Sequence, residues 1–222
     1  MLDKPQLTSE LLLNAYKEGI FPMADDRDDP QLYWYRPEQR GIIPLDQFHL
    51  PRRLARTVLA DLYEVKVDTN FEAVIDGCAC PAKGREETWI NQPIRLLFSD
   101  LFERGYAHTV EVWDGINLIG GLYGLAIGQA FFGESMFSRK RDASKIALVH
   151  LVARLRLGGF QLLDTQFMTT HLTQFGGYEI DEIEYDYRLK RSICQSAQWL
   201  DNQWKADIFQ EIKAMRASAW QM

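Results

Sequence analysis

The sequence predicts an α/β protein of the α+β kind, a small N-terminal α/β domain over residues 1–61 followed by a larger mixed-sheet domain over 62–222. Three observations predict it. The stretch from Tyr106 to Gln166 reads as three strands, a helix and a further strand. Short strand-like runs alternate with short amphipathic helices before it. The chain has 222 residues, 46% of them apolar, enough for one large core or two small ones.

Taken in order, Thr8–Glu18 reads as a helix with Thr8 or Ser9 as N-cap and Gly19 past its end. An acidic turn follows at Asp25–Asp29. Leu32–Tyr35 reads as an edge strand, Arg40–Pro44 as a second short strand and Pro51–Val58 as a helix start carrying Arg52, Arg53 and Arg56. Those arginines read most simply as a solvated helix face. Glu64–Val67 is a strand, Asn70–Cys78 a helix, and the segment holding Lys83 and Arg85 a polar loop before Trp89. Pro93–Arg104 is a helix with proline in its first turn and Gly105 as terminator.

Thr109–Trp113 alternates as a strand does, and Asp114-Gly115 is a hairpin turn. Asn117–Ile127 is apolar yet interrupted by Gly120, Gly121 and Gly124, so another group must approach this backbone closely. Gln129–Ser138 returns as a strand, Asp142–Leu157 is a helix closed by Gly158-Gly159, and Phe160–Gln166 is an apolar strand ending on a carboxylate. Thr169–Phe175 is a short helix. The segment from Arg188 onward reads as a terminal helix without visible chemistry.

Composition narrows the function. No apolar run approaches the roughly 20 residues of a membrane span, and Met1–Pro5 lacks a signal-peptide layout. Three cysteines, Cys78, Cys80 and Cys194, suit a reduced cytoplasmic setting better than a disulfide framework. They also make poor zinc spacing, so no metal is expected. A formal charge of −6 leaves a nucleic-acid partner only a local basic patch. Gly133–Phe137 carries Ser135 but lacks the second glycine of a nucleophile elbow. Asp164 ends an apolar strand with Gln166 two residues on; by pattern alone it is a cap or an acid–base group. Leu122, Phe131, Met136 and Leu163 form a lining that is either core or an apolar pocket.

Eight separated motifs carry a resemblance: Gly19–Pro22, Trp34 with Pro37, Thr88–Ile90, His108–Trp113, Gly120–Gly124, Gly133–Ser138, Ala143–Lys145 and Asp164–Gln166. In order and approximate spacing the chain resembles the bacterial leucyl/phenylalanyl-tRNA–protein transferases over residues 8–187. The resemblance implies an acetyltransferase-like (GNAT-like) larger domain. It implies an enzyme that moves leucine or phenylalanine, with methionine a further candidate, from aminoacyl-tRNA to the N-terminal Lys or Arg of a protein, marking it for degradation. It implies a monomer with no cofactor. Asp164 and Gln166 would be catalytic. Leu122, Phe131, Met136, Leu148, Leu151 and Leu163 would line the aminoacyl pocket, with Glu134 also binding substrate. Trp34 and Trp89 would meet the terminal adenosine, with Arg52, Arg53, Arg56, Lys83 and Arg85 on acceptor-stem phosphates, forming one strip near the two tryptophans.

Two other classes stay open. A coenzyme A-dependent acetyltransferase would need backbone amides at a helix start to hold the pyrophosphate, and here Arg139–Ser144 has no glycine. A non-catalytic tRNA-binding module would leave Asp164 as a cap.

Overall fold

Four helices in this chain begin where a short polar side chain takes one of the first free amides. Thr8, Asn70, Asn91 and Asp181 each accept from an amide of the first turn. The computed structural model describes residues 7–81 and 87–218. In chain order the elements are α1 (Ser9–Lys17), β1 (Phe21–Met23), β2 (Tyr33–Tyr35), β3 (Gln39–Ile43), α2 (Arg52–Leu59), β4 (Glu64–Val67), α3 (Phe71–Ala79) and α4 (Gln92–Glu103). The larger part follows with β5 (Ala107–Asp114), β6 (Asn117–Ile127), β7 (Ala130–Ser138), α5 (Ala143–Leu157), β8 (Leu162–Gln166), α6 (Thr170–Thr173), β9 (Tyr178–Asp181), α7 (Glu182–Ile193) and α8 (Lys205–Ser218).

Seven strands form one mixed sheet in the order β4-β5-β6-β7-β8-β3-β9, and β1 with β2 makes a separate two-stranded ribbon. Every pairing in the large sheet is antiparallel except β7 with β8, whose parallel register covers only Ala130–Phe132 against Leu162–Asp164. Beyond that register no ladder joins Glu134 and Met136 to β8. The expected mixed sheet is therefore present. Strand β3 and helix α2 precede residue 61 but pack into the large sheet and its core, while β1, β2 and α1 make up the small N-terminal part.

Helices cover both faces. α5, α2 and α8 share one apolar cluster with Val110, Leu122, Phe131 and Leu163. α1, α3, α4 and α7 share the other with Tyr123, Phe132 and Leu162. The alternation of β6 and β7 sorts their side chains between these clusters. Gly124 explains part of the glycine richness of β6. A Cβ there would sit 2.4 Å from the Phe131 ring and 2.4 Å from the Phe132 carbonyl oxygen.

Two expectations need correction. The terminal helix expected from Arg188 begins at Glu182, because Asp181 caps it through the Glu184 amide. The chain then crosses the fold as irregular backbone before α8. Strand β9 was not legible, since its Tyr178–Asp181 pattern leaves only Ile180 buried.

Gly124→Ala should lower stability by roughly 2 kcal/mol or more, the cost of forcing a methyl into filled space. Urea unfolding measures it, and an unchanged midpoint would show that the Phe131 ring moves aside freely.

Candidate active site

The two acidic residues of the predicted site stand side by side on the face opposite α5, in different electrostatic situations. Asp164 is fully buried, as is Arg40 of β3. Arg40 donates to it in a fork, Nε to Oδ1 at 2.9 Å and Nη2 to Oδ2 at 2.7 Å. The Tyr185 hydroxyl adds 2.6 Å to Oδ2 and the Gln166 amide 2.7 Å to Oδ1. Four donors thus fill the carboxylate. Arg40 also donates to the Gly19 carbonyl at 3.0 Å and has the Phe21 and Tyr185 rings each 4.6 Å from its guanidinium carbon.

The Asp164–Gln166 amide contact fixes an unusual backbone. Gln166 has φ +62°, a left-handed conformation that side chains other than glycine adopt at a cost on the order of 1 kcal/mol. That turn aims its side chain at Glu134, with Nε2 donating to Oε1 at 3.0 Å. The Tyr16 hydroxyl of α1 donates to the same oxygen at 2.7 Å. Oε2 of Glu134 is buried and has no partner among the described residues. Burial pushes the Glu134 carboxyl up to about 7; the Tyr16 and Gln166 hydrogen bonds pull against that shift, and the Asp164 charge adds to it.

A β-bulge places Glu134. The pairing of β6 and β7 steps from Gly124↔Gly133 to Tyr123↔Ser135, leaving Glu134 as the extra residue. The bulge also resets the alternation. Phe131 faces α5, and without the extra residue Met136 would face the other way. With it, Met136 lies opposite Leu122 on the α5 side. All six predicted lining residues then meet in one cluster: Leu122, Phe131, Leu148, Leu151 and Leu163 buried, Met136 packed against them and half-buried. A cleft of about 640 Å³ opens elsewhere, around Arg156, Tyr187 and Arg191. Of these six residues only Leu163 borders it.

Among the described residues the predicted tRNA contacts do not form one strip. Trp34 on β2 is exposed, and β2 sits beside Gln166 because Phe21 of its partner strand stacks on Tyr35 and meets Phe167 edge-on at 5.6 Å. The loop after β1 reaches Asn91, whose side-chain amide donates to the Asp29 carbonyl at 2.7 Å, two residues from half-buried Trp89. Arg52, Arg53 and Arg56 lie on the α5 side instead, because α2 buries Leu54, Ala55 and Val58 there. Lys83 and Arg85 lie outside the described residues. Arg53 reaches Asp142 at the start of α5 at 3.4 Å, and Arg141 and Lys145 approach the same carboxylate at 3.8 Å. With Arg139 and Lys140, both exposed, they make a basic rim that the sequence reading treated only as a turn unsuited to pyrophosphate.

Among the described residues no three His, Cys, Asp or Glu side chains gather as a metal-ligand set. No described helix is long and apolar enough to cross a membrane.

Comparison with known proteins decides the family. Residues 42–190 match the family model for leucyl/phenylalanyl-tRNA protein transferase, and residues 5–38 match that of its N-terminal domain. The chain belongs to the leucyl/phenylalanyl-tRNA–protein transferase family. A relative of that name from Paramagnetospirillum magneticum is 57% identical over 195 residues, 88% of this chain and 93% of the relative. One from Maricaulis maris is 58% identical over 189 residues, 85% of this chain and 88% of the relative. The solved structure of L-PGS from Bacillus licheniformis aligns at TM-score 0.37 and 11% identity, over 94% of this chain and 70% of that one, too slight a likeness to carry an argument. This chain is accordingly an aminoacyltransferase acting with aminoacyl-tRNA and protein substrates, and the acetyltransferase and binding-module readings are not favoured.

Arg40→Met should cost roughly 3–5 kcal/mol, because it strands the buried Asp164 charge. Denaturant titration measures this. A loss below 1 kcal/mol would mean that water or Tyr185 alone satisfies the carboxylate.

Proposed function

We propose that Glu134 receives the amino group of the acceptor protein and takes its proton during transfer. The unpartnered, buried Oε2 carries the reading: an acceptor atom left unsatisfied at the end of a bulge is costly unless a donor arrives. A carboxyl near 7 also suits proton exchange with an α-amine whose pKa is about 7.7–8.0. The amine nitrogen then attacks the ester carbonyl carbon, the ester C–O bond breaks, and the proton passes to the departing ribose oxygen. The ester is already activated, so position and one proton acceptor suffice. Gln166 and Tyr16 hold Glu134 in place.

Asp164, expected to hold the ammonium itself, acts in this reading as a positioning residue. Its lone pairs are taken, and its role is to hold the left-handed Gln166 turn. The cluster around Leu122 and Phe131 takes the donor side chain, with half-buried Met136 as its flexible entry. Leucine and phenylalanine as donors, N-terminal Lys or Arg as acceptors, a monomer and a cytoplasmic setting follow from the family resemblance. Exposed Trp34 stacks the terminal adenosine, and the rim of Arg52, Arg53, Arg56, Arg139, Lys140, Arg141 and Lys145 follows acceptor-stem phosphates.

A pH profile tests the chemistry. About a tenth of Glu134 is ionised at pH 6 and about nine-tenths at pH 8, so kcat/KM should rise through pH 7. Glu134→Gln should abolish that limb and lower transfer by roughly 10²-fold. A Glu134→Gln protein that keeps both the rate and the rise would remove Glu134 from proton transfer.

A salt series tests the rim. Arg52→Ala with Arg53→Ala should weaken binding of every aminoacyl-tRNA alike and flatten the log Kd against log salt slope by about one to two units. An unchanged slope would place the stem elsewhere.

A further inference from the structure

The segment beyond the family match is fastened to the body at four points. The Ser192 carbonyl accepts from the Gln129 amide at 2.8 Å, and the Gln198 amide donates to the Gly158 carbonyl at 2.9 Å. A Cβ on Gly158 would lie 2.2 Å from the Gln198 oxygen, so the two backbones cross in direct contact. The Asn202 side-chain amide pairs with both backbone groups of Val67, at 2.9 Å each, sealing the edge of β4. Between these clamps sits Trp199. Its indole Nε1 donates to Asp68 at 2.7 Å, and its ring stacks on His108 at 4.3 Å. Asp68 is itself fixed by His108 Nδ1 at 2.8 Å and the Thr109 amide at 2.7 Å.

The same ring lies nearly parallel to Phe131, 12° between planes and 5.7 Å between centroids. Phe131 has no exposed surface and is further held by the Gly124 backbone and the edge of Phe160. A side chain entering this cluster must displace something. Met136 can yield, being flexible and half-buried. Trp199 cannot, because polar anchors independent of the cluster fix its position.

We propose that Trp199 is a specificity-determining residue, the rigid backstop that sets the depth of the donor side-chain pocket through Phe131. This rests on the reading of the Leu122–Phe131 cluster as that pocket. Removing the backstop lets the Phe131 ring retreat, deepening the pocket to favour phenylalanine over leucine.

The test compares kcat/KM for phenylalanyl-tRNA and leucyl-tRNA in full-length variants. Trp199→Ala should raise the Phe-to-Leu ratio about tenfold, the lower end of what a methylene-sized change in a pocket yields. Trp199→Phe, which retains an aromatic plate should alanine fail to fold, should raise it roughly threefold on the same scale. Asn202→Ala loosens the same segment without touching the ring and should leave the ratio alone. Phe131→Leu separates the two readings. If it shifts the ratio while the folded Trp199 variants do not, the backstop is refuted and the pocket stands. If Phe131→Leu also leaves the ratio unchanged, the pocket reading itself falls. An Asn202→Ala shift equal to that of the Trp199 variants would likewise overturn the specific role of the ring.

Discussion

The buried ion pair of Arg40 and Asp164 is the constraint on which the rest of the site depends. Two charges out of water cost several kcal/mol each unless their geometry and remaining hydrogen bonds are nearly complete. Here the fork, the Tyr185 hydroxyl, the Gln166 amide and the Gly19 carbonyl supply them. Those partners come from β3, β8, α7 and the turn after α1, so satisfying one charge pair fixes the relative position of four elements. It also accounts for β3, a five-residue strand from early in the chain, lying between β8 and β9.

The site then divides its work by the two faces of one sheet. Glu134, Asp164 and Gln166 lie on the α1 and α7 face, and the apolar cluster on the α5 face. Glu134 shares the Phe132 face by plain alternation and meets Tyr16 there, while a single inserted residue in β7 restores Met136 to the Phe131 side. In the proposed reading the donor side chain lies in one of these layers and the attacking amine in the other.

Much of this was legible in the sequence because it is local. Thr8, the Pro93 helix and the Asp114-Gly115 turn declare themselves by side-chain chemistry within a few residues. Asp164, Gln166 and the six lining residues were singled out through motif order, and the six do pack into one cluster. Tyr16, Arg40 and Tyr185 were missed, since each satisfies a local pattern: Tyr16 completes an apolar helix stripe, Arg40 opens a short strand, and Tyr185 lies within an acidic run. Their roles arise from contacts 21 to 124 residues apart in sequence. The one local hint was an arginine directly before Gly41 in an otherwise apolar strand. The tail was misread for the same reason, since Trp199 and Asn202 find their partners on β4, β5 and β7 rather than nearby.

The two carboxylates show how one fold assigns opposite roles to like groups. Asp164 is out of solvent and Glu134 half-buried with Oε2 covered, and each would repel the other's charge. Asp164 has a guanidinium against it and four donors, so its negative charge is held in place. Glu134 has two neutral donors on one oxygen and none on the other, so burial dominates and its carboxyl rises to about 7. The raised value costs the folded state stability progressively as pH rises from about 4.5 to about 7, where the unfolded chain has given up a proton that the folded chain still holds, and the cost is constant above 7. Arg40 and Asp164 hold the framework rigid around a strained Gln166. In the proposed reading the acceptor ammonium supplies Oε2 with a donor, so the cost of burying that oxygen is recovered as binding energy for the substrate.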